Sequence, residues 1–184
     1  MKRFSRNRTI VALGIAAGVL IFGVIQTNAQ KMKELEVGDK VPQFLLKDQN
    51  GNERSSAEWL GKKSMVIFFY PKDFTPGCTA EACRFRDDYE DFTDLGAEVI
   101  GISGDGQASH EKFSKNYNLP FVLLSDEDRK VQNAFGVGRS WFGLFSARIT
   151  FVVDKQGKII HTFEGTLNAS KHVEEALNVL RAAQ

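Results

Sequence analysis

The chain has 184 residues, 42% of them hydrophobic and 26% charged, with a formal net charge of +1. That balance excludes a disordered or fibrous chain and fits one globular domain long enough to bury its own core. Two cysteines are too few for a disulfide-stapled miniature.

The N-terminus stands apart. Lys2, Arg3, Arg6 and Arg8 crowd the start, and no acid precedes Glu34. Residues 9–25 form a run of 17 without charge. A basic start before an apolar run reads as a secretory signal, with Thr27-Asn28-Ala29 as a small-residue cleavage site, or as a membrane anchor. Both readings assign residues 1–29 to targeting, and in the anchor reading residues 9–25 are the segment that would tether the chain. Both put the domain, residues 36–184, in an extracytoplasmic compartment: periplasm, lumen or exterior. Without residues 1–29, 20 basic groups face 23 acidic ones, a net charge of −3. No basic patch able to track a phosphate backbone is visible, which disfavours nucleic acid as a partner.

From Glu36 onward, strand-like and helix-like segments alternate. Phe44-Leu45-Leu46 leads into the turn cluster Asp48-Gln49-Asn50-Gly51. Met65-Val66-Ile67-Phe68-Phe69-Tyr70 is a short continuous apolar run, the pattern of a strand covered on both faces. Residues 76–95 place Ala82, Phe85, Tyr89 and Phe92 at steps of three and four, which predicts one helix with a buried stripe. A second strand follows over residues 97–103, a helix over 107–117 with Phe113 and Tyr117 on one face, and a third strand over 121–124. Residues 149–153 and 158–163 flank Asp154-Lys155-Gln156-Gly157, a hairpin signal. The last helix, 169–181, buries Val173, Ala176, Leu177 and Leu180. This order predicts an α/β fold with a mixed central sheet flanked by helices.

The chemistry-bearing stretch is Pro71-Lys72-Asp73-Phe74-Thr75-Pro76-Gly77-Cys78-Thr79-Ala80-Glu81-Ala82-Cys83. It leaves a buried strand and opens a helix, the carboxyl edge at which open α/β sheets place their sites. Pro76 suits an early helical position because it has no N–H to leave unpaired. Cys78 then falls in the first turn, where unpaired N–H groups and a partial positive charge favour the nucleophilic thiolate over the thiol. Positions 78, 82, 85, 89 and 92 share a face, so Cys78 is expected to be partly exposed at the bottom of a shallow pocket. Cys83 lies five residues on, which separates the two Cα atoms by about 8.6 Å along a helix. A disulfide requires less than about 7 Å. An intact helix therefore forbids the bond, and a bond between the two requires the first turns to unwind.

Pro71-x-x-x-Thr75-x-x-Cys78 resembles the active-site motif of the peroxiredoxins. Thr75-Pro76-Gly77-Cys78-Thr79 with Cys83 resembles the Q-type group, also called bacterioferritin comigratory proteins. The likeness continues through Phe85-Arg86-Asp87, Leu119-Pro120-Phe121 and Leu124-Ser125-Asp126. The resemblance implies a thioredoxin-like fold and an antioxidant thiol peroxidase that acts on hydrogen peroxide or organic hydroperoxides. It implies that Cys78 is oxidised to a sulfenic acid and that Cys83 condenses with it as a disulfide. Thr75 would align thiolate and peroxide, Arg148 would stabilise both, and Pro71 would shield the sulfur from solvent. Thioredoxin or a similar dithiol would be the reductant, no cofactor is implied, and a monomer is expected.

Other features read more plainly. His110, His161 and His172 fall on different segments without metal-ligand spacing, and each is expected at the surface. Gly101-x-x-Gly104-x-Gly106 lacks the dinucleotide fingerprint and the P-loop lysine, and reads as a turn after a strand. The acids from Asp87 to Asp94 read as a solvated helix face, and Ser140 to Phe145 as a segment that packs, covers the pocket or forms a partner surface, packing being the reading preferred. Two other classes compete with the peroxidase. A thiol–disulfide exchanger would carry Cys-x-x-Cys and a proline before the facing strand, where this chain has Cys-x4-Cys and Ala147-Arg148. A non-enzymatic redox sensor would consume peroxide stoichiometrically.

Overall fold

The computed structural model describes residues 34–140, 145–165 and 168–184. All of them fall within the unit Lys31–Gln184. The expected targeting segment, residues 1–29, and the tether, residues 9–25, lie outside the described residues, as do Trp141, Phe142, Gly143 and Leu144.

In chain order the strands are β1 (Leu45–Asp48), β2 (Glu53–Ser55), β3 (Ser64–Phe69), β4 (Ala97–Ser103), β5 (Val122–Ser125), β6 (Arg139–Ser140), β7 (Phe145–Ser146), β8 (Ile149–Val153) and β9 (Ile159–Glu164). The helices are α1 (Pro76–Asp87), α2 (Tyr89–Asp94), α3 (Gln107–Tyr117), α4 (Lys130–Ala134) and α5 (Ala169–Ala182). Seven strands form one sheet in the order β2-β1-β5-β4-β3-β8-β9. β3, β4 and β5 run parallel, while β8 and β9 on one side and β1 and β2 on the other pair antiparallel. The sheet is mixed, as the order of segments predicts.

Side-chain alternation along β3 divides the core in two. Val66, Phe68 and Tyr70 face one cluster with Cys78, Phe85, Phe92, Phe113 and the apolar stripe of α5. Met65, Ile67 and Phe69 face the other, with Trp59, Phe135 and Phe151. A period of two on a strand covered on both faces produces this division. Phe68 is the hub of the first cluster, stacked on Phe85 at 4.5 Å and set edge-on to Phe121 at 5.8 Å. Gly101 makes room for it: a Cβ there would lie 2.7 Å from both Phe68 and Leu123. That close approach gives the glycine a packing role.

One predicted element divides. Residues 76–95 form α1 and α2, with Asp88 between them at φ −101°, ψ 13°. Asp87 and Asp88 oppose the negative end of α1, and Asp88, Glu90 and Asp91 suit the positive end of α2, so the charge order favours a break there. The buried stripe survives it: Phe85 and Phe92 remain in contact at 5.7 Å.

Candidate active site

β3 ends at Phe69 in the centre of the sheet, and Tyr70 to Thr75 connect it to α1. Thr75 is the N-cap, with extended backbone at φ −76° and ψ 144°, and Pro76 occupies the first turn. Cys78 follows in that turn, among the N–H groups that the helix start leaves without a backbone partner. The residue is 1% exposed, more deeply buried than the face reading predicts. The reason is Arg148, which comes from the start of β8 and lies over the sulfur. Its Nη2 donates to Cys78 Sγ at 3.3 Å. Gly77 permits this approach, since a Cβ there would lie 3.2 Å from the same nitrogen.

Arg148 is itself held from behind. Its Nη1 donates to Glu81 Oε2, and both side chains are buried. Burial works against the Arg148 cation, but the Glu81 and Cys78 groups outweigh it and push its pKa above the ordinary value. Burial pushes the Glu81 carboxyl up to about 8, with Arg148 pulling the other way. A carboxyl that keeps its proton near neutral pH leaves the guanidinium charge available to the sulfur. His172 stands behind Glu81, its Nδ1 3.7 Å from Oε1. Its Nε2–H donates to the Gly165 carbonyl at 2.9 Å, so Nδ1 accepts from the Thr150 hydroxyl at 2.8 Å. Burial pushes His172 down to about 4, against the Gly165 hydrogen bond and with the help of Arg148. The ring is therefore neutral, consistent with those two bonds.

The structure brings Cys78 and Arg148 together across 70 residues of sequence. Thr75 sits at the helix start, and its hydroxyl donates to the Lys72 carbonyl at 3.0 Å. Pro71 is half-buried in the same loop. Cys83 is half-buried on α1, which is continuous through both cysteines, and both thiols are free. Arg86, one turn further, interacts with the Cys83 sulfur and donates to the Tyr117 carbonyl at 2.9 Å. Among the described residues no group of three or more His, Cys, Asp or Glu is placed to hold a metal ion.

The surface placement expected of the histidines fails for two of them. His110 and His172 are wholly buried and hydrogen-bonded, while His161 is half-buried near Glu175. Glu81, His172, Asp73 and His110 escape the sequence reading as site residues. A signal existed for Glu81: an acid three residues after Cys78 falls on the apolar face of the helix.

A sequence model of the AhpC/TSA family matches residues 37–162. The chain is 48% identical over 146 residues to "Peroxiredoxin Q, chloroplastic" of Gentiana triflora, covering 79% of this chain and 67% of that protein. It is 49% identical to the protein of the same name from Arabidopsis thaliana, with the same coverage. The chain thus spans about two thirds of the length of these relatives. Among solved structures it resembles peroxidoxin BcpB of Mycobacterium tuberculosis, with a TM-score of 0.77 and 37% identity, covering 82% of this chain and 99% of that one. A cysteine-to-serine mutant of Xylella fastidiosa PrxQ matches with a TM-score of 0.75 and 26% identity, covering 82% and 98%.

These likenesses correct the expected location. An extracytoplasmic compartment reached by a signal or anchor does not agree with curated relatives named as chloroplastic. The expectation rested on a basic, acid-free start before an apolar run, and organellar transit segments share the first of these two features. Among the described residues no helix is long and apolar enough to cross a membrane, and the membrane tether finds no support there. With its mixed seven-stranded sheet of the thioredoxin type and these relatives, the chain belongs to the AhpC/TSA family and is a peroxiredoxin, an enzyme of the thiol-dependent peroxidase class.

Proposed function

We propose that this enzyme reduces hydrogen peroxide and organic hydroperoxides at Cys78, in antioxidant defence. The observation that carries this reading is the Arg148 guanidinium held 3.3 Å from the Cys78 sulfur at a helix N-terminus. A fixed cation and free N–H donors favour the thiolate, and they also favour negative charge passing onto the departing oxygen. The thiolate attacks one peroxide oxygen, the O–O bond breaks, and Cys78 becomes a sulfenic acid. The leaving alkoxide or hydroxide takes a proton and departs as alcohol or water. Thr75 donates its hydroxyl to the peroxide in place of the Lys72 carbonyl, and Pro71 restricts solvent at the sulfur.

Cys83 then attacks the sulfenic sulfur. An S–S bond forms and water leaves. The continuous α1 keeps the two cysteines about 8.6 Å apart at Cα, so its first turns unwind for this step. Thioredoxin or a similar dithiol reduces the disulfide by exchange, restoring two thiols and oxidising the donor. Peroxide consumption coupled to a dithiol tests the scheme. Cys78→Ser is expected to abolish turnover, and Cys83→Ser to stop recycling after one peroxide or leave it dependent on added thiol. Full turnover by Cys78→Ser would refute the assignment of the nucleophile.

A further inference from the structure

The loop between β3 and α1 carries a buried polar group that the peroxidase scheme does not use. Asp73 is 3% exposed and His110 and Tyr70 are at 0% and 1%, all beside the first apolar cluster. Asp73 Oδ1 accepts from the Tyr70 hydroxyl at 2.8 Å. Asp73 Oδ2 accepts from the Ser109 hydroxyl at 2.7 Å and pairs with His110 Nδ1 at 2.9 Å. The Asp73 backbone N–H donates to Asp105 Oδ2 at 2.9 Å, and Asp105 is held in turn by the Ser103 hydroxyl at 2.7 Å. One loop residue is thereby tied to the end of β3, to the turn after β4 and to the first turns of α3.

The next residue shows what the tie enforces. Phe74 has φ +61°, a region that bulky side chains rarely enter, and 44% of it is exposed. Its ring leans edge-on against Phe113 at 5.1 Å, also on α3. Thr75 follows directly as the N-cap of α1. The chain thus passes from an anchored residue through a strained one to the N-cap residue whose hydroxyl the peroxidase reading assigns to the peroxide. Burying a carboxylate and an imidazole costs free energy unless every group is paired, and a paired network is rigid. Arg148 immediately precedes β8, so its alignment with Thr75 and Cys78 depends on the path of this loop.

We infer that Asp73, clamped by Tyr70, Ser109 and His110, is a positioning residue for peroxide reduction that acts through Thr75. The inference rests on the peroxidase reading above. Asp73 touches neither sulfur nor peroxide. It fixes the loop so that the Thr75 hydroxyl meets the peroxide oxygen as the sulfur attacks, and it leaves the thiolate itself unaltered. Peroxide attack, which requires this alignment, depends on Asp73, whereas attack on a small alkylating agent does not.

The test is single-turnover oxidation of the reduced protein by hydrogen peroxide, with alkylation by iodoacetamide at the same pH, all in a Cys83→Ser background. Asp73→Asn is expected to slow the peroxide reaction about tenfold, since sub-ångström misplacement carries costs of that order. Alkylation is expected to stay within about twofold of the parent, and Asp73→Asn with Thr75→Val to react within about twofold of Thr75→Val alone. Ser109→Ala removes one donor to Asp73 and is expected to slow peroxide about threefold, which serves if Asp73→Asn does not fold. A peroxide rate unchanged in both variants overturns the inference. So does an equal loss in both reactions, or multiplication of the Asp73 and Thr75 losses. If the Cys83→Ser parent itself fails to react with peroxide, the peroxidase reading falls instead.

Discussion

Glu81→Gln removes a buried titrating carboxyl while keeping its shape and one acceptor oxygen for Arg148. The pH dependence of stability should change accordingly. With the native carboxyl raised from 4.5 to about 8, the folded chain holds a proton over that window that the unfolded chain has released. Stability attached to Glu81 is complete below pH 4.5 and is lost as pH rises through about 8, at about 1.4 kcal/mol per pH unit. His172 has the opposite sign. Its native value is lowered from 6.5 to about 4, so it costs stability as pH falls below 6.5. The two slopes cancel between pH 4.5 and 6.5, and only Glu81 acts between 6.5 and 8. Across that upper window the protein should lose roughly 2 kcal/mol, which is about 1 M in urea midpoint for a domain of this size. The assay is urea unfolding at pH 6.5, 7.2 and 8.0, with Cys78→Ser and Cys83→Ser in both proteins so that no thiol enters. Glu81→Gln should show a flat midpoint over the same range. A parent midpoint that stays level or rises, or a Glu81→Gln midpoint that falls in parallel, would refute the reasoning.

Other outcomes follow from the same geometry. Above pH 8 an ionised Glu81 competes with the sulfur for Arg148, so kcat/KM for peroxide should decline there in the parent and persist in Glu81→Gln. Stopped-flow pH profiles compare the two. Gly77→Ala places a methyl group 3.2 Å from Arg148 Nη2. Its melting temperature should hold or rise, because alanine is favoured over glycine in a helix by roughly 0.5–1 kcal/mol, while peroxide reactivity should fall about tenfold as the guanidinium shifts. Hydrogen exchange should show residues 79–84 protected in the reduced protein and open in the disulfide form, and equal protection in both would rule out unwinding.

Long periodic segments were legible in the sequence. The runs at 97–103 and 149–153 and the helix at 107–117 coincide with β4, β8 and α3, because continuous apolar patterns and i, i+3 spacing act over many residues. Short pieces were not: β2, α4 and the β6–β7 pair are two to five residues each, too few to carry a period. Buried polar residues were the other blind spot. Whether His110 is surface or core depends on Asp73, 37 residues away, and His172 depends on Thr150, 22 residues away. Nothing local to either histidine encodes that partner. Arg148 was legible only through the family motif, whereas Cys78 could be placed from local chemistry alone.

The central claim is that the Cys78 sulfur, under Arg148, takes the oxygen. Reduced Cys83→Ser protein treated with one equivalent of hydrogen peroxide and a sulfenic-acid trap, then mapped by peptide mass spectrometry, tests it most directly. The expected result is a single trapped adduct at Cys78, and its near absence when Arg148→Ala is treated the same way. An intact, folded protein with Cys78 unmodified would contradict it.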